Sequence, residues 1–269
     1  MCPEQRLATS LPHYNLLFIG QFNMQIPTGA LTAIHADIDA ILTACQQHDP
    51  ATATEADNAS GLETLSQALE QLTDVMTRVE NDRLSASDTT PADITEIGDY
   101  ALQLHEALSA ATSQRGPGGQ QLSLASLAIN IALWIAHQGG QIETLEPVAN
   151  ALALIANSSR EPAEMRELNG VMIEIIAAVS SVISQDLEKM NPGRPWRVLL
   201  LNHSIIATRS YDTDLMEDAF SFLSSKLPED ATRFFSEGME QMDALDYPPH
   251  VRAVMEKYHR QWPLKRSLH

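Results

Sequence analysis

The chain is expected to be all-α: helical hairpins or a bundle, followed by a C-terminal, solenoid-like array of antiparallel helix pairs. Three observations carry this. Leu62, Leu65, Leu69, Leu72, Met76 and Val79 are spaced alternately three and four residues apart, and Ile94, Ile97, Ala101, Leu104, Leu108 and Ala111 repeat the alternation. Each series draws one apolar seam along a helix. Hydrophobic residues make up 44% of the 269 and aromatics only 5%, a balance that suits helices packed through small and medium side chains. Beyond Arg194, candidate helix starts recur every 16 to 20 residues, the rhythm of helix pairs in repeats of about 35 residues.

The elements follow in order. Tyr14 to Ile26 is apolar and mixed, and fits a strand, a short helix or a segment tucked onto the core. Pro27 suits a first helical turn, and Leu31, Ile34, Ile38, Ile41, Leu42 and Cys45 continue at helical spacing. Asp49 to Asn58 reads as a loop, and Ser60 to Glu63 has the form of a capping box opening the first seam helix. Thr90-Pro91-Ala92-Asp93 opens the second in the same way. Gly116-Pro117-Gly118-Gly119 is the strongest break and a candidate boundary between an N-terminal region, 1–115, and a C-terminal region, 120–269, which could still pack as one body.

Leu122 to Gln138 is apolar nearly all round, so it is expected to be buried on several sides and to cover the Ala-thinned second seam. Thr144 to Asn157 is the next helix. Pro162 to Met190 reads as one long helix stopped by Asn191-Pro192-Gly193. Pro195–Ser210, Thr213–Lys226, Glu229–Leu245 and Pro249–Trp262 complete nine to eleven helices.

The net charge of −18 is uneven. Residues 1–185 hold 6 Lys/Arg against 22 Asp/Glu, whereas residues 186–269 hold 11 against 13. Such acidity repels phosphate backbones, so nucleic acid is not an expected partner. Beyond Val251 the balance reverses, with Arg252, Lys257, Arg260, Lys265 and Arg266 facing only Glu256. That end is either a solvated basic face or a dock for an acidic surface such as the N-terminal half. Cys2 and Cys45 do not suggest a structural disulfide, the first residues do not read as a signal peptide, and the most apolar run is too short to span a bilayer. A cytoplasmic location without membrane association is expected.

Leu215, Ala219, Phe222, Ala231, Phe235 and Gly238 stand where tetratricopeptide repeats place their packing residues, so Asp212 to Leu245 resembles one degenerate unit of that family. Asp218 and Asp243 depart from its pattern. The resemblance implies an interaction scaffold without chemistry of its own.

Phosphate-binding loops, nucleophile elbows, paired-Cys signatures and His-Glu-x-x-His are missing from the sequence, and neither a catalytic residue nor a cofactor is assigned. His35, Asp39, Cys45 and His48 are metal-ligand types at helical spacing but need not converge, so no metal is assigned. His105 and His137 raise a phosphotransfer reading, with His105 expected half-exposed. Asn202, His203 and Arg209 interrupt an otherwise apolar helix. Arg209 either pairs with Asp212 or Asp214 to fasten the turn, or lines with Asn202 and Tyr211 a groove for an anionic peptide or small molecule. Asp246-Tyr247-Pro248-Pro249-His250-Val251-Arg252 fixes a rigid corner and offers Tyr247, His250 and Arg252 near a helix N-terminus. The expectation is a non-enzymatic interaction or adaptor protein gripping a protein or peptide partner with Asn202, Arg209, Tyr211, Tyr247, His250 and Arg252. The alternatives are a small-molecule sensor or enzyme with a pocket at Asn202, His203 and Arg209, and a His phosphotransfer module.

Overall fold

The computed structural model describes residues 26–47, 55–83, 89–115 and 119–263. Among the described residues the protein is all-α, with eleven helices: α1 Leu31–Gln47, α2 Glu55–Arg83, α3 Pro91–Arg115, α4 Gln121–Gln138, α5 Glu146–Ser158, α6 Pro162–Ala178, α7 Ser181–Ser184, α8 Pro195–Arg209, α9 Thr213–Lys226, α10 Pro228–Ala244 and α11 Pro249–Gln261. They fall into two units. Among the described residues, one comprises Ile26–Ser158 and Val171–Gln185; the other comprises Ser159–Gly170 and residues 186–263. The division does not fall at Gly116–Gly119: the helices on either side of that break, α3 and α4, pack on each other within the first unit. The mixed segment at 14–25, and Cys2, His48, Lys265 and Arg266, lie outside the described residues.

In the first unit α4 is the central strut. Eleven of its residues are buried, among them Leu127, Ile131, Trp134 and Ile135, and α1, α3 and α5 pack against it. Burying each such side chain contributes about 1.5–3 kcal/mol, and an all-round apolar helix can bury them only by taking neighbours on several sides. The thin second seam is covered by α4 as expected. Ile94, Ala101 and Leu108 are buried, and Gly98 lets α3 approach so closely that a Cβ there would stand 2.3 Å from Ile135 Cγ1. The seam is wider than the spacing implied, because Leu102 and His105 are buried too. Thr90 and Asp93 form the expected capping box: the Thr90 amide donates to Asp93 Oδ2 at 2.8 Å and the Asp93 amide donates to Thr90 Oγ1 at 3.3 Å. These bonds hold the Asp93 carboxyl below its usual range.

The matching box at Ser60 is not a helix start. α2 runs unbroken from Glu55, so capping chemistry at Ser60 yields to continued helix. Asn130, the polar interruption of α4, is satisfied. Its Oδ1 accepts from the amides of Thr28 and Gly29 at 3.1 and 3.0 Å, and its Nδ2 donates to Asp37 Oδ2 at 2.9 Å. Gly29 takes φ +71°, which a side chain would strain, and that geometry turns both amides onto Asn130. At its far end α4 stops at Gly139, φ +80°, whose amide donates to Ala136 O.

The long helix expected over Pro162 to Met190 ends at Ala178. Ile142 and Val179 form an isolated parallel bridge, with the Ile142 amide donating to Ala178 O at 2.8 Å and the Ser180 amide to Ile142 O at 3.0 Å. Those bonds pull the chain out of helix before the short α7.

In the second unit α8 packs on α9, α10 on α11, and α9 touches both α10 and α11. Its core is aromatic. Phe220 meets Phe234, Phe235 and Tyr258 edge-on at centroid distances of 5.7, 5.2 and 5.2 Å, each pair worth about 0.5–1.5 kcal/mol beyond burial. Ala219, Ala231, Phe235 and Gly238 are buried; Leu215 and Phe222 are half-buried. Gly238 admits Met255 of α11, whose Sδ would lie 2.6 Å from a Cβ there.

Candidate functional site

The turn after α8 is built by local bonds. Ser210 is fully buried, donates through Oγ to Ala207 O at 2.7 Å and accepts from the Asp212 amide at 3.2 Å. Asp212 caps α9, its Oδ1 accepting from the amides of Asp214 and Leu215 at 3.1 and 3.3 Å. Between them Tyr211 takes φ +57°, a left-handed conformation that costs a non-glycine residue about 1–2 kcal/mol. The expected pairing of Arg209 with Asp212 or Asp214 gives way to these caps: Arg209 Nη2 donates instead to Ser159 O at 2.5 Å, tying the end of α8 to the segment before α6.

A second connection reaches the same place. Pro248 and Pro249 fix the start of α11, and they bring Tyr247 edge-on to Tyr211 at 5.8 Å. His250 Nε2–H donates to Tyr211 O at 3.2 Å. Burial raises the Tyr247 phenol above its usual range, Tyr211 adds to this, and the Arg209 charge opposes it. Arg209, Tyr211, Tyr247 and His250 therefore share one corner, with Tyr211 39% exposed.

Two of the proposed residues stand elsewhere. Arg252 is turned back to its own hairpin, donating to Glu256 Oε1 at 2.9 Å, Met242 O at 3.0 Å and Asp243 Oδ1 at 2.5 Å. Asn202 lies inside α8, two turns from Arg209, and is buried. Within the basic C-terminal stretch, Lys257 likewise grips both Glu217 oxygens at 2.7 and 2.8 Å, and Arg260 Nε donates to Glu256 O at 3.2 Å. The carboxylates that Arg252 and Lys257 hold, on α9, α10 and α11, all belong to this unit.

His203 is buried beside Asn202, and neither Asn202 Nδ2 nor His203 Nε2 has a hydrogen-bond partner among the described residues. Burial pushes the His203 imidazole down to about 4, against a smaller opposing pull from Asp218. His105 is buried, not half-exposed: its Nε2–H donates to Leu124 O at 2.9 Å, and burial lowers its pKa. His137 is at the last turn of α4, 2.8 Å from Glu174. His35 and Asp39 are exposed while Cys45 is buried, and no group of three or more metal-ligand side chains gathers among the described residues. None of the described helices is long and apolar enough to cross a membrane.

One feature of this unit was not legible in the sequence. Asp186, at φ +53°, holds Arg194 in a two-point ion pair, Nε at 2.5 Å and Nη2 at 2.9 Å, with both side chains 5% exposed. Arg194 Nη1 also donates to the carbonyls of Lys189 and Asn191 at 3.3 and 3.2 Å. Arg197 donates to Asp230 Oδ1 at 2.7 Å and to Pro192 O at 2.9 Å. The two arginines strap the whole 186–194 loop. The signal available was an Asp and an Arg flanking Asn-Pro-Gly, hidden by reading Asp186 as the interior of a long helix.

Comparison with known proteins finds no matching family model, no matching curated protein and no matching solved structure.

Proposed function

We propose that this chain is a non-enzymatic interaction protein that engages a protein or peptide partner through the corner formed by Arg209, Tyr211, Tyr247 and His250. The observation carrying this reading is the convergence of two separate connections, α8–α9 and α10–α11, on an exposed tyrosine held at a strained backbone angle. A ring fixed in this way binds at little entropic cost, and tyrosine is among the residues that dominate protein interfaces. The tetratricopeptide-like hairpin α9–α10 belongs to this proposal as a scaffold element, and a cytoplasmic setting suits it.

The test immobilises the full chain and its Tyr211→Gly variant in extract from the cells that make it. Glycine accepts the left-handed angle, so this variant removes the ring and keeps the turn. Proteins retained by the wild-type chain and lost with Tyr211→Gly at an unchanged melting temperature are expected. An identical retained set overturns the proposal.

A second reading has its own support: the unpaired polar atoms of Asn202 and His203, with the depressed His203 imidazole, suit a small polar ligand held inside the second unit. Ligand-induced shifts of the His203 ring resonances across a metabolite panel are expected on this reading, and their absence removes it.

A further inference from the structure

The strapped loop displays what most loops hide. Leu187 is 76% exposed and Met190 is 96% exposed, three residues apart on a tip closed by the Asn191 amide donating to Glu188 O at 2.9 Å. Beneath them the loop is rigid: Arg194 and Arg197 hold Asp186 and the carbonyls of Lys189, Asn191 and Pro192, and the Gly193 amide donates to Asn191 Oδ1 at 2.9 Å. Desolvating an arginine and an aspartate costs several kcal/mol unless each is well paired, so a strongly built platform carries two solvent-facing apolar side chains. Preorganised apolar side chains of this kind favour association by lowering the entropy lost on binding.

Charge selects the occupant. The exposed ionic groups around the tip are Glu188, Glu229 and Lys189, and Lys189 is held on Glu229 at 3.1 Å. The rim therefore carries one net negative charge, Glu188, since Glu229 is shared by Lys189 and Arg194, on a chain of net charge −18 whose excess lies mainly in residues 1–185. An anionic lipid surface repels such a chain, whereas an apolar cleft edged with Lys or Arg complements it. We infer that Leu187 and Met190 form a knob that inserts into an apolar, basic-rimmed cleft of a partner protein. This is a second surface, independent of the tyrosine corner.

The test uses the full chain carrying a photo-crosslinking residue in place of Met190. It is irradiated in cell extract, by itself, and with neutral or anionic phospholipid vesicles. One discrete adduct with a different protein is expected, its yield falling at least about fivefold with Leu187→Ser, with Glu188→Lys and with added salt. The captured protein, once purified, is expected to bind Leu187→Ser and Met190→Ser chains about tenfold more weakly than wild type. Both variants should melt normally, because their side chains face solvent. The proposal is overturned by an adduct indifferent to Leu187→Ser and Glu188→Lys, by an adduct between two copies of this chain, by crosslinking to lipid, or by no adduct. An adduct lost with Tyr211→Gly and retained with Leu187→Ser belongs to the tyrosine corner and overturns the knob while leaving the proposed function standing.

Discussion

Asp186→Gly isolates the strap, because glycine tolerates the +53° backbone angle and only the carboxylate is lost. Arg194 then stays 5% exposed without its two-point partner. Removing one member of a buried ion pair costs about 3–5 kcal/mol. Here Asp230 at 3.5 Å, Glu229 at 3.8 Å and two carbonyls still face the guanidinium, which places the loss near the lower end, about 3 kcal/mol. With a urea slope of about 2 kcal/mol per molar, the unfolding midpoint of this unit drops by roughly 1.5 M, read by circular dichroism and tryptophan fluorescence. Arg194→Met leaves Asp186 buried and costs a similar amount. The double variant removes both charges, so its loss should fall short of the summed single losses by about 2 kcal/mol or more. Strict additivity refutes the reasoning, since it would mean that neither charge depends on the other for its burial.

Two further predictions rest on different physics. His203 is neutral in the fold down to about pH 4 but protonates near 6.5 when unfolded. The unfolded state therefore binds more protons through this window, and stability falls as pH drops from about 6.5 towards 4, by about 3 kcal/mol in total. Urea titrations at several pH values should show the slope, and His203→Leu should flatten it, leaving the smaller fall in the same direction due to His105. The same substitution at two glycines should have opposite signs: Gly98→Ala drives a Cβ into Ile135 and lowers stability by about 1–2 kcal/mol, whereas Gly61→Ala meets nothing within 4 Å on α2 and raises it by about 0.5–1 kcal/mol, both read from thermal or urea midpoints.

Helix class and most positions were legible because apolar spacing, prolines at first turns and the Thr90–Asp93 box are local signals, settled by residues within four positions of one another. Pro27 is the exception, standing in the non-helical 26–30 segment before α1 begins at Leu31. Pro195, Thr213 and Pro249 mark the starts of α8, α9 and α11 in the sequence and in the fold alike. Where a distant partner intervened, local reading fell short. The 162–190 helix broke at Val179 because Ile142, far away in sequence, offered its backbone.

The candidate site divides along the same line. The residue types and rigid turns around Tyr211 and Tyr247 could be picked out one connection at a time, but their meeting depends on how α8–α9 and α10–α11 pack. Arg252 and Asn202 looked equally eligible until packing assigned one to Asp243 and Glu256 and the other to the interior. By itself the sequence determined an acidic all-α chain and the ends of most of its helices, since those follow from periodicity and caps. Only the tertiary structure decided which polar residues share a surface and which apolar ones face water, because burial and charge pairing are relations between segments far apart along the chain.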